Sequence, residues 1–341
     1  MSEALRVLRQ SLWPLSFVYA GVTATRNWLF DAGIRRVHRV GVRVVSVGNL
    51  TVGGTGKTPL VVELVARARA AGFVPGVLAR GYGRAAGAEL NDEGLLLRGR
   101  YPDLPQVQDP DRVAGAERLI AEHGVDLVIL DDGFQHRRLG RDHDIVCVDA
   151  RDPFARFRTL PAGDLREPVS GLRRADAVVM TRAAGLDDAA LEQRVQAIRR
   201  RAGRRADLPV FAAVHRPRDL LHLPDGTVEP VERLAGRRVH LLAAIARPES
   251  FVTTVRELGA DVDRVHRFPD HHLFTAAELL AVRTAAADRD AVVVTTEKDA
   301  VKLGPDAGRV IVLRIDLAFR GTAPSDVALG LSRSCNDSPE S

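Results

Sequence analysis

The feature that most constrains this 341-residue chain is a glycine-rich turn that joins an apolar strand pattern to a helical pattern. Residues 42–47 are mostly β-branched, and the turn after them ends in Gly56, Lys57 and Thr58, where the helical pattern begins. Glycines let backbone N–H groups surround phosphate oxygens, because no Cβ stands in the way. The pattern therefore predicts a phosphate-binding loop at the amino end of a helix, as in P-loop proteins.

The residues predicted to surround the phosphates of a nucleotide form one continuous run. They are Thr51, Val52, Gly53, Gly54, Thr55, Gly56, Lys57 and Thr58. Lys57 would reach the β- and γ-phosphates of ATP and act in catalysis, and the Thr58 hydroxyl would bind Mg²⁺. The usual pattern begins with glycine where this chain has Thr51, so we expect Gly53 and Gly54 to provide the flexibility.

An apolar run that ends in two acidic residues supports this interpretation. Residues 127–130 are apolar, and Asp131 and Asp132 follow them directly. A strand that ends in a carboxylate near the phosphate loop is the Walker B arrangement, which places that carboxylate beside Mg²⁺. Alone the pattern is weak, because aspartate often begins turns. Together with the glycine-rich turn it predicts a site for a magnesium nucleotide.

Short β-branched runs alternate with helical patterns along the rest of the chain, which predicts parallel strands joined by crossover helices. One set of strand candidates lies between residues 42 and 214, and a second lies between residues 239 and 315. The segment between them is rich in proline, aspartate and arginine and is typical of a linker or hairpin. The predicted divisions are an N-terminal arm (1–40), a P-loop domain (41–215), a linker (216–238), a smaller α/β domain (239–325) and a C-terminal tail (326–341).

The N-terminal arm carries most of the positive charge. Residues 1–40 contain six arginines and two acids, so the arm has a charge of 6 − 2 = +4 out of a total of +5. From Pro14 onward, apolar residues fall on one helical face, and both tryptophans of the chain, Trp13 and Trp28, lie here. Arginine and tryptophan beside an apolar face are typical of a helix in a membrane interface. Packing on the protein's own core is the alternative, and a secretory signal is disfavoured because an ATP-type loop follows.

Three further segments are weaker candidates. Asp92 and Glu93 could orient a nucleophile or hold a cation, although on sequence alone a solvated turn is the favoured explanation. His271, beside Asp270, could assist a catalytic proton acceptor, although a polar surface loop is the simpler interpretation. The segment 295–303 is explained mostly by helix capping. Of 49 basic residues only Lys57, Lys298 and Lys302 are lysines, so these positions, unless they arose by chance, need a compact ammonium group.

Taken together, these segments resemble the tetraacyldisaccharide 4′-kinase family, the lipid A 4′-kinases. The matching segments follow the family's order over most of the chain, and the string that begins at Asp131 is the most specific of them. They are residues 48–59, Arg80-Gly81-Tyr82-Gly83-Arg84, Asp92-Glu93, Asp131-Asp132-Gly133-Phe134-Gln135-His136-Arg137-Arg138-Leu139, residues 160–163 and 165–168, Arg247-Pro248 with Phe251, Phe268-Pro269-Asp270-His271, and residues 295–303.

The resemblance implies an α/β fold: a P-loop NTPase-type three-layer α/β/α domain with a mainly parallel sheet, a second smaller α/β domain and an N-terminal amphipathic helical arm. It implies transfer of the γ-phosphoryl group of ATP, with Mg²⁺, to the 4′-hydroxyl of a tetraacyl glucosamine disaccharide 1-phosphate. The enzyme would lie peripherally on the anionic cytoplasmic face of a Gram-negative inner membrane. We expect a monomer without a nucleic-acid partner.

Carried over by position, the resemblance implies a role for each candidate residue. Asp92 would be the catalytic base and His271 its partner. Because His271 lies in the predicted second domain, we expect domain closure to complete the site. Thr58, Glu93 and one of the two residues Asp131 and Asp132 would surround the metal. The anionic disaccharide headgroup would be held by Arg80, Tyr82, Arg112 and Arg166. Two departures, Asn91 and Ala244 where the family often has glycine, touch no reacting group.

Two other classes of function stay open at this point. A P-loop ATPase or GTPase that switches a protein partner at the membrane would hydrolyse nucleotide without an acceptor, although the chain has no guanine-reading Asn-Lys-x-Asp string. A membrane-surface binding module with a purely structural loop would tolerate loss of Lys57. The two cysteines are too few for a disulfide framework, so the cytoplasm is the simplest compartment.

Overall fold

The computed structural model describes residues 11–84, 87–154, 158–203, 207–304 and 307–332. The chain divides into two compact units. The first, called here the loop unit, takes Met1–Arg80, Leu104–His215 and Leu317–Ser341. The second, called here the base unit, takes Gly81–Asp103 and Arg216–Asp316. Each unit is described by itself below.

The loop unit contains a parallel sheet in which β1 lies near the centre. Its strand order is β7-β6-β5-β1-β4-β2-β3, and every neighbouring pair in this series is parallel. The strands are β1 (Arg43–Asn49), β2 (Pro75–Ala79), β3 (Gln106–Gln108), β4 (Leu127–Asp131), β5 (His143–Asp149), β6 (Ala177–Thr181) and the first part of β7 (Val210–Leu223). The helices are α1 (Trp13–Asp31), α2 (Lys57–Ala70), α4 (Arg112–His123) and α5 (Asp188–Ala202), and α3 (Asp92–Arg100) belongs to the base unit.

Alternation along the buried strands explains why helices cover both faces of this sheet. Val44 and Val128 point to one face, where they join a buried cluster with Leu119 of α4. Their neighbours Val45 and Ile129 point to the opposite face, because successive strand residues alternate. Strands that are buried on both faces read as continuous apolar runs. The result is the predicted three-layer α/β/α arrangement with a parallel sheet.

The base unit has its own parallel strands in the order β10-β9-β11-β12. These are β9 (Arg238–Ala243), β10 (Asp261–Arg267), β11 (Val292–Thr296) and the first part of β12 (Val310–Arg320), and β8 (Val228–Glu229) pairs antiparallel with β7. The helices are α3 (Asp92–Arg100), α6 (Pro248–Glu257), α7 (Ala276–Ala287) and the short α8 (Glu297–Ala300). Short 3₁₀ turns occur at Val169–Arg174, Val231–Leu234 and Val327–Leu329.

The division into units differs from the predicted domains in several places, and residues 317–325, predicted in the smaller α/β domain, belong to the loop unit. Residues 81–103 were placed in the P-loop domain but belong to the base unit. Residues 216–238 were predicted as a linker or hairpin, and they contain the end of β7, its antiparallel partner β8 and a 3₁₀ turn. The predicted tail from 326 also begins with packed structure, because Leu329 and Leu331 are buried. Residues 333–341, including Cys335, lie outside the described part of the chain.

Helix α1 presents its polar side chains to the loop unit and its apolar ones to solvent. Ser16 and Asn27 are buried, whereas Phe17, Val18 and Val22 are each more than 60% exposed. The Ser16 hydroxyl donates to the Thr159 carbonyl, and the Asn27 amide donates to Glu167 Oε2 at 2.8 Å. The predicted apolar face is present, and it does not pack on the described core. The helical pattern expected before residue 11 lies outside the described residues.

Candidate active site

The glycine-rich loop connects β1 to α2, and its carbonyl groups are held by other residues of the loop unit. The Thr181 hydroxyl donates to the Thr55 carbonyl at 2.6 Å, and Arg182 Nη1 donates to the Gly54 carbonyl at 2.7 Å. Gly56 precedes α2 with φ 79°, a conformation that favours glycine. With its carbonyls held and its glycines free of Cβ atoms, the loop is suited to offer backbone N–H groups to an anion.

The side-chain amides of Asn49 and Gln135 support the glycine-rich loop through hydrogen bonds. Asn49 Nδ2 donates to the Thr51 carbonyl at 2.8 Å and to Thr55 Oγ1 at 3.0 Å. Gln135 Nε2 donates to the Asn49 carbonyl and to Glu167 Oε1, both at 2.9 Å. The fully buried Glu167 also accepts from Asn27 of α1, so hydrogen bonds run from that helix to the loop.

The side chain of Asp132 lies between two cations. Its Oδ1 is 3.2 Å from Lys57 Nζ, and its Oδ2 accepts from Arg166 Nη1 at 2.7 Å. Burial opposes ionisation of this carboxyl, but Lys57 and Arg166 outweigh burial and hold its pKa below the usual value. Asp132 adopts φ 56°, which is uncommon outside glycine and turns the chain directly after β4. Lys57 and Arg166 therefore form a cationic pair beside the loop, with Asp132 as their counter-ion.

Arg112 is almost fully buried and lies close enough to Arg80 to feel its charge. Burial lowers the pKa of Arg112, and the charge of Arg80 lowers it further. Arg112 donates to the carbonyls of Asp109 and Pro110, while its Nε makes no hydrogen bond among the described residues. Two arginines held close together in a partly desolvated place are stabilised when an anion binds between them.

In the base unit, Asp92 and His271 are in direct contact although 179 residues separate them. His271 Nδ1 lies 2.9 Å from Asp92 Oδ2. Asp92 and Glu93 occupy the first turn of α3, which Asn91 caps by accepting from the Gly94 N–H. A helix amino terminus favours carboxylates, which accounts for both acids at this position. His271 has φ 63°, and its N–H donates to Asp270 Oδ1, so the local turn fixes the ring.

Two lysines, Lys298 and Lys302, lie near the carboxylates of this group. Lys298 Nζ is 3.5 Å from Glu93 Oε1 and 3.6 Å from Asp270 Oδ1. Lys302 Nζ is 4.0 Å from Asp92 Oδ2. The arrangement resembles a proton-accepting carboxylate with a histidine partner and nearby compensating charge, a combination that general base catalysis uses.

Comparison with known proteins agrees with this geometry. Residues 8–330 match the family described as tetraacyldisaccharide-1-P 4′-kinase. A tetraacyldisaccharide 4′-kinase of Anaeromyxobacter dehalogenans (strain 2CP-C) is 42% identical, and the alignment covers 91% of this chain and 87% of the relative. One of Geobacter sulfurreducens is 35% identical, with coverage of 97% and 94%.

The chain belongs to the tetraacyldisaccharide-1-P 4′-kinase family. A crystal structure of the Aquifex aeolicus member, LpxK in complex with ATP, matches with a TM-score of 0.73 at 28% identity over 95% of this chain and 98% of that one. Membership in the 4′-kinase family confirms the predicted family and enzyme class, and the matched fold confirms the predicted α/β class.

The predicted site residues of this 4′-kinase family member lie in two groups, one in each unit. The loop unit holds the loop residues 51–58 with Asp131, Asp132, Arg80, Arg112 and Arg166. The base unit holds Asp92, Glu93, His271 and Tyr82. Asp92 and His271 touch within one unit, so their contact with each other does not depend on domain closure. Tyr82, predicted to bind substrate, has a side chain that is 79% exposed.

Several supporting residues were missed in the sequence. Thr181 and Arg182 hold loop carbonyls from the end of β6, and a neighbouring parallel strand that ends in polar residues was the available signal. Gln135 lay inside the quoted string at 131–139 but received no role. Asp92 was expected in a loop, whereas it begins α3, because the Asn91 cap was not recognised as a helix start.

Proposed function

We propose that this 4′-kinase binds ATP on the 51–58 loop and uses Asp92 as the base that accepts a proton from the 4′-hydroxyl of a tetraacyl glucosamine disaccharide 1-phosphate. The observation that carries the proposal is the 2.9 Å contact between Asp92 Oδ2 and His271 Nδ1. A carboxylate oriented by a histidine is a suitable acceptor for a hydroxyl proton. The sugar oxygen bonds to the γ-phosphorus, the bond from that phosphorus to the ADP oxygen breaks, and the proton goes to Asp92.

Lys57 and Arg166 stabilise the negative charge of the transferring phosphoryl group. Phosphoryl transfer depends mostly on positioning and on neutralising charge that is spread over the phosphoryl oxygens. Lys57 and Arg166 both contact Asp132, so their positions are fixed before ATP arrives. Donors that are positioned in advance need no reorganisation during the reaction, which makes them effective.

Arg80 and Arg112 bind an anionic part of the nucleotide or of the acceptor. Their mutual repulsion and the unpaired Nε of the buried Arg112 support a binding site that is completed by a phosphate. Arg166, which the resemblance assigned to the headgroup, acts instead on the phosphoryl group in this proposal, because its side chain is directed to Asp132. Tyr82 retains its proposed contact with the acceptor, for which its large exposure leaves it accessible.

Thr58, Asp131 and Asp132 would hold Mg²⁺ together with the phosphates. One hydroxyl and two carboxylates are the oxygen donors that Mg²⁺ takes at nucleotide sites, where it needs only one or two carboxylates. Mg²⁺ would neutralise charge on the phosphate oxygens. Glu93 is left out of this set because it belongs to the base unit, whereas Thr58, Asp131 and Asp132 belong to the loop unit.

The apolar face of α1 rests in the surface of the inner membrane on its cytoplasmic side, where ATP and the lipid acceptor are both available. Trp13, Phe17, Val18 and Val22 are more than half exposed, and buried polar side chains hold the opposite face. An exposed apolar patch of this kind is typical of contact with lipid. Among the described residues, no helix is long and apolar enough to cross a membrane.

The test is incubation with [γ-³²P]ATP and the acyl disaccharide 1-phosphate in detergent micelles, followed by lipid extraction and chromatography. We expect label in the lipid product and none when the acceptor lacks the 4′-hydroxyl. Label that appears only in inorganic phosphate, at the same rate with and without acceptor, would instead support the nucleotide-hydrolysing switch.

A further inference from the structure

The segment 295–303, which the sequence explained by helix capping, contains a buried ion pair in the base unit. Lys302 Nζ lies 2.7 Å from Asp299 Oδ1, and the two side chains are 1% and 0% exposed. Buried charges are costly, so an ion pair of this kind is retained where its geometry serves a purpose or where many hydrogen bonds satisfy it. A cap alone needs neither the aspartate nor the lysine to be buried.

Asp299 is held by fixed donors that leave one oxygen for Lys302. Its Oδ2 accepts from the Ala244 N–H at 3.0 Å and from the Thr296 hydroxyl at 2.9 Å. Its own N–H donates back to Thr296 Oγ1 at 3.1 Å. Since the β9 end and the start of α8 both hold Asp299, the carboxylate provides a rigid anchor for the ammonium group.

The remaining surroundings of Lys302 direct its ammonium group toward Asp92. Nζ lies 3.4 Å from the Ala244 carbonyl, 5.5 Å from the centre of the Phe274 ring and 4.0 Å from Asp92 Oδ2. The last distance is that of an ion pair. Asp92 Oδ2 therefore has Lys302 as one neighbour and His271 Nδ1 as another.

We propose that Lys302, anchored by Asp299, is a positioning residue that fixes the Asp92 carboxylate for its reaction. The inference rests on the proposed role of Asp92 as the base. Lys302 touches no reacting atom in this scheme and acts only through Asp92. His271 and Lys302 approach the same oxygen of Asp92, which leaves Oδ1 for the incoming hydroxyl.

The composition of the chain supports a specific role for this ammonium group. Arginine supplies 46 of the 49 basic residues, by the subtraction 49 − 3. The three lysines all lie within 4.0 Å of a carboxylate in the two candidate groups: Lys57 near Asp132, Lys298 near Glu93 and Asp270, and Lys302 near Asp92. An arginine at 302 would be larger and planar, and it would not fit the same buried space.

The kinetic test neutralises both members of the buried pair, because removing one would leave the other charge unpaired. We expect Asp299→Asn with Lys302→Met to lower kcat on the order of 30-fold, with KM for ATP and for the lipid changed less than 3-fold. In an Asp92→Asn background the same two changes should alter the residual kcat less than 3-fold. A matched control neutralises the ion pair Arg314–Asp219 of the same unit with Arg314→Met and Asp219→Asn, and it should leave kcat unchanged.

Two results separate the inference from the proposed function. If Asp92→Asn itself keeps the wild-type kcat, the assignment of the base is wrong. If Asp92→Asn loses activity but neutralising the 299–302 pair leaves kcat unaltered, or lowers it equally in both backgrounds, Lys302 does not act through Asp92.

A spectroscopic test does not require those variants to fold. Lysine labelled with ¹³Cε and ¹⁵Nζ gives only three side-chain signals in this chain, which Lys57→Met and Lys298→Met assign by elimination. We expect Asp92→Asn to shift the Lys302 signal and to leave the Lys57 signal in place. An unchanged Lys302 signal would overturn the inference.

Discussion

The two candidate groups of this kinase differ in the charges that surround their central carboxylates. In the loop unit, Asp132 lies between Lys57 and Arg166, and further cations, Arg80 and Arg112, lie nearby. In the base unit, Asp92 has one histidine and one lysine beside it, and Asp299 already balances the charge of that lysine. Excess positive charge is suited to holding phosphates, whereas a balanced arrangement leaves a carboxylate able to take up a proton.

In the proposed function the two groups divide the reaction between them. Binding of ATP would depend on the loop unit, and removal of the acceptor proton would depend on the base unit. Substitutions in each group should therefore affect different steps, and the predictions below test that separation.

The largest expected effect comes from Lys57→Met. Removing a positioned cation from the transferring phosphoryl group should lower kcat/KM for ATP on the order of 1000-fold. The measurement is steady-state kinetics with varied ATP, accompanied by thermal unfolding to show that the variant is folded. A variant that keeps more than a tenth of wild-type kcat/KM would contradict the role of the loop unit.

His271→Ala should affect the step that depends on the base unit. Loss of the histidine that orients Asp92 should lower kcat on the order of 100-fold, while ATP binding measured by calorimetry stays within 3-fold of wild type. The matched control is His272→Ala, which removes the neighbouring ring that contacts Glu278 instead of Asp92. Equal losses in the two variants would show that the effect is not specific to the Asp92 contact.

Substitutions on α1 should change membrane binding without touching either group. Phe17→Ser removes an exposed apolar side chain. Binding of this variant protein to vesicles with anionic lipids should weaken on the order of 10-fold. Flotation of the protein with such vesicles measures the effect. Leu280→Ser, which changes an exposed leucine of α7, is the control and should leave flotation unchanged. A similar loss of vesicle binding in both variants would show that α1 is not the specific membrane contact.

The smallest expected effect is a loss of stability in acid from the cation-rich loop unit. Burial lowers the pKa of His136 from 6.5 to about 4, and the charges of Arg112 and Arg141 add to this. The unfolded chain binds this proton near pH 6.5 and the folded chain does not, so stability falls as the pH drops from 6.5 toward 4. Between pH 7 and pH 5 the loss should be on the order of 1 kcal/mol.

Urea unfolding at the two pH values tests this expectation. His136→Gln should reduce the difference in unfolding free energy between pH 7 and pH 5, whereas a change of the exposed His123 to Gln should not. If His136→Gln leaves the pH dependence as it is in wild type, His136 is not a source of the acid sensitivity.

The sequence predicted most of the strands and the phosphate loop because each has a local signal. β1 differs from the predicted run 42–47 by one or two residues, and β4 covers the apolar run 127–130 and Asp131, since apolar runs are visible in short windows. Helix α4 was missed even though Asp111 caps its start and Gly124 ends it, both of which are readable signals. Helix α3 was harder to find, because Gly94 and Gly99 weaken its helical pattern.

The base-unit group was predictable only in part. Asp92 and His271 were named through family resemblance, since each alone resembles an ordinary polar loop residue. The contribution of Lys302 depends on three segments, around residues 92, 244 and 299, that come together only in the folded chain. No local window of sequence contains that relation. The unusual scarcity of lysine was the one indication of it.

The most direct test of the division between the two groups is a single-turnover measurement on Asp92→Asn with ATP already bound. The account predicts an ATP dissociation constant within 3-fold of wild type and a rate of phosphoryl transfer to the lipid that is slower on the order of 1000-fold. A transfer rate close to wild type, or an equal loss of ATP binding, would contradict it.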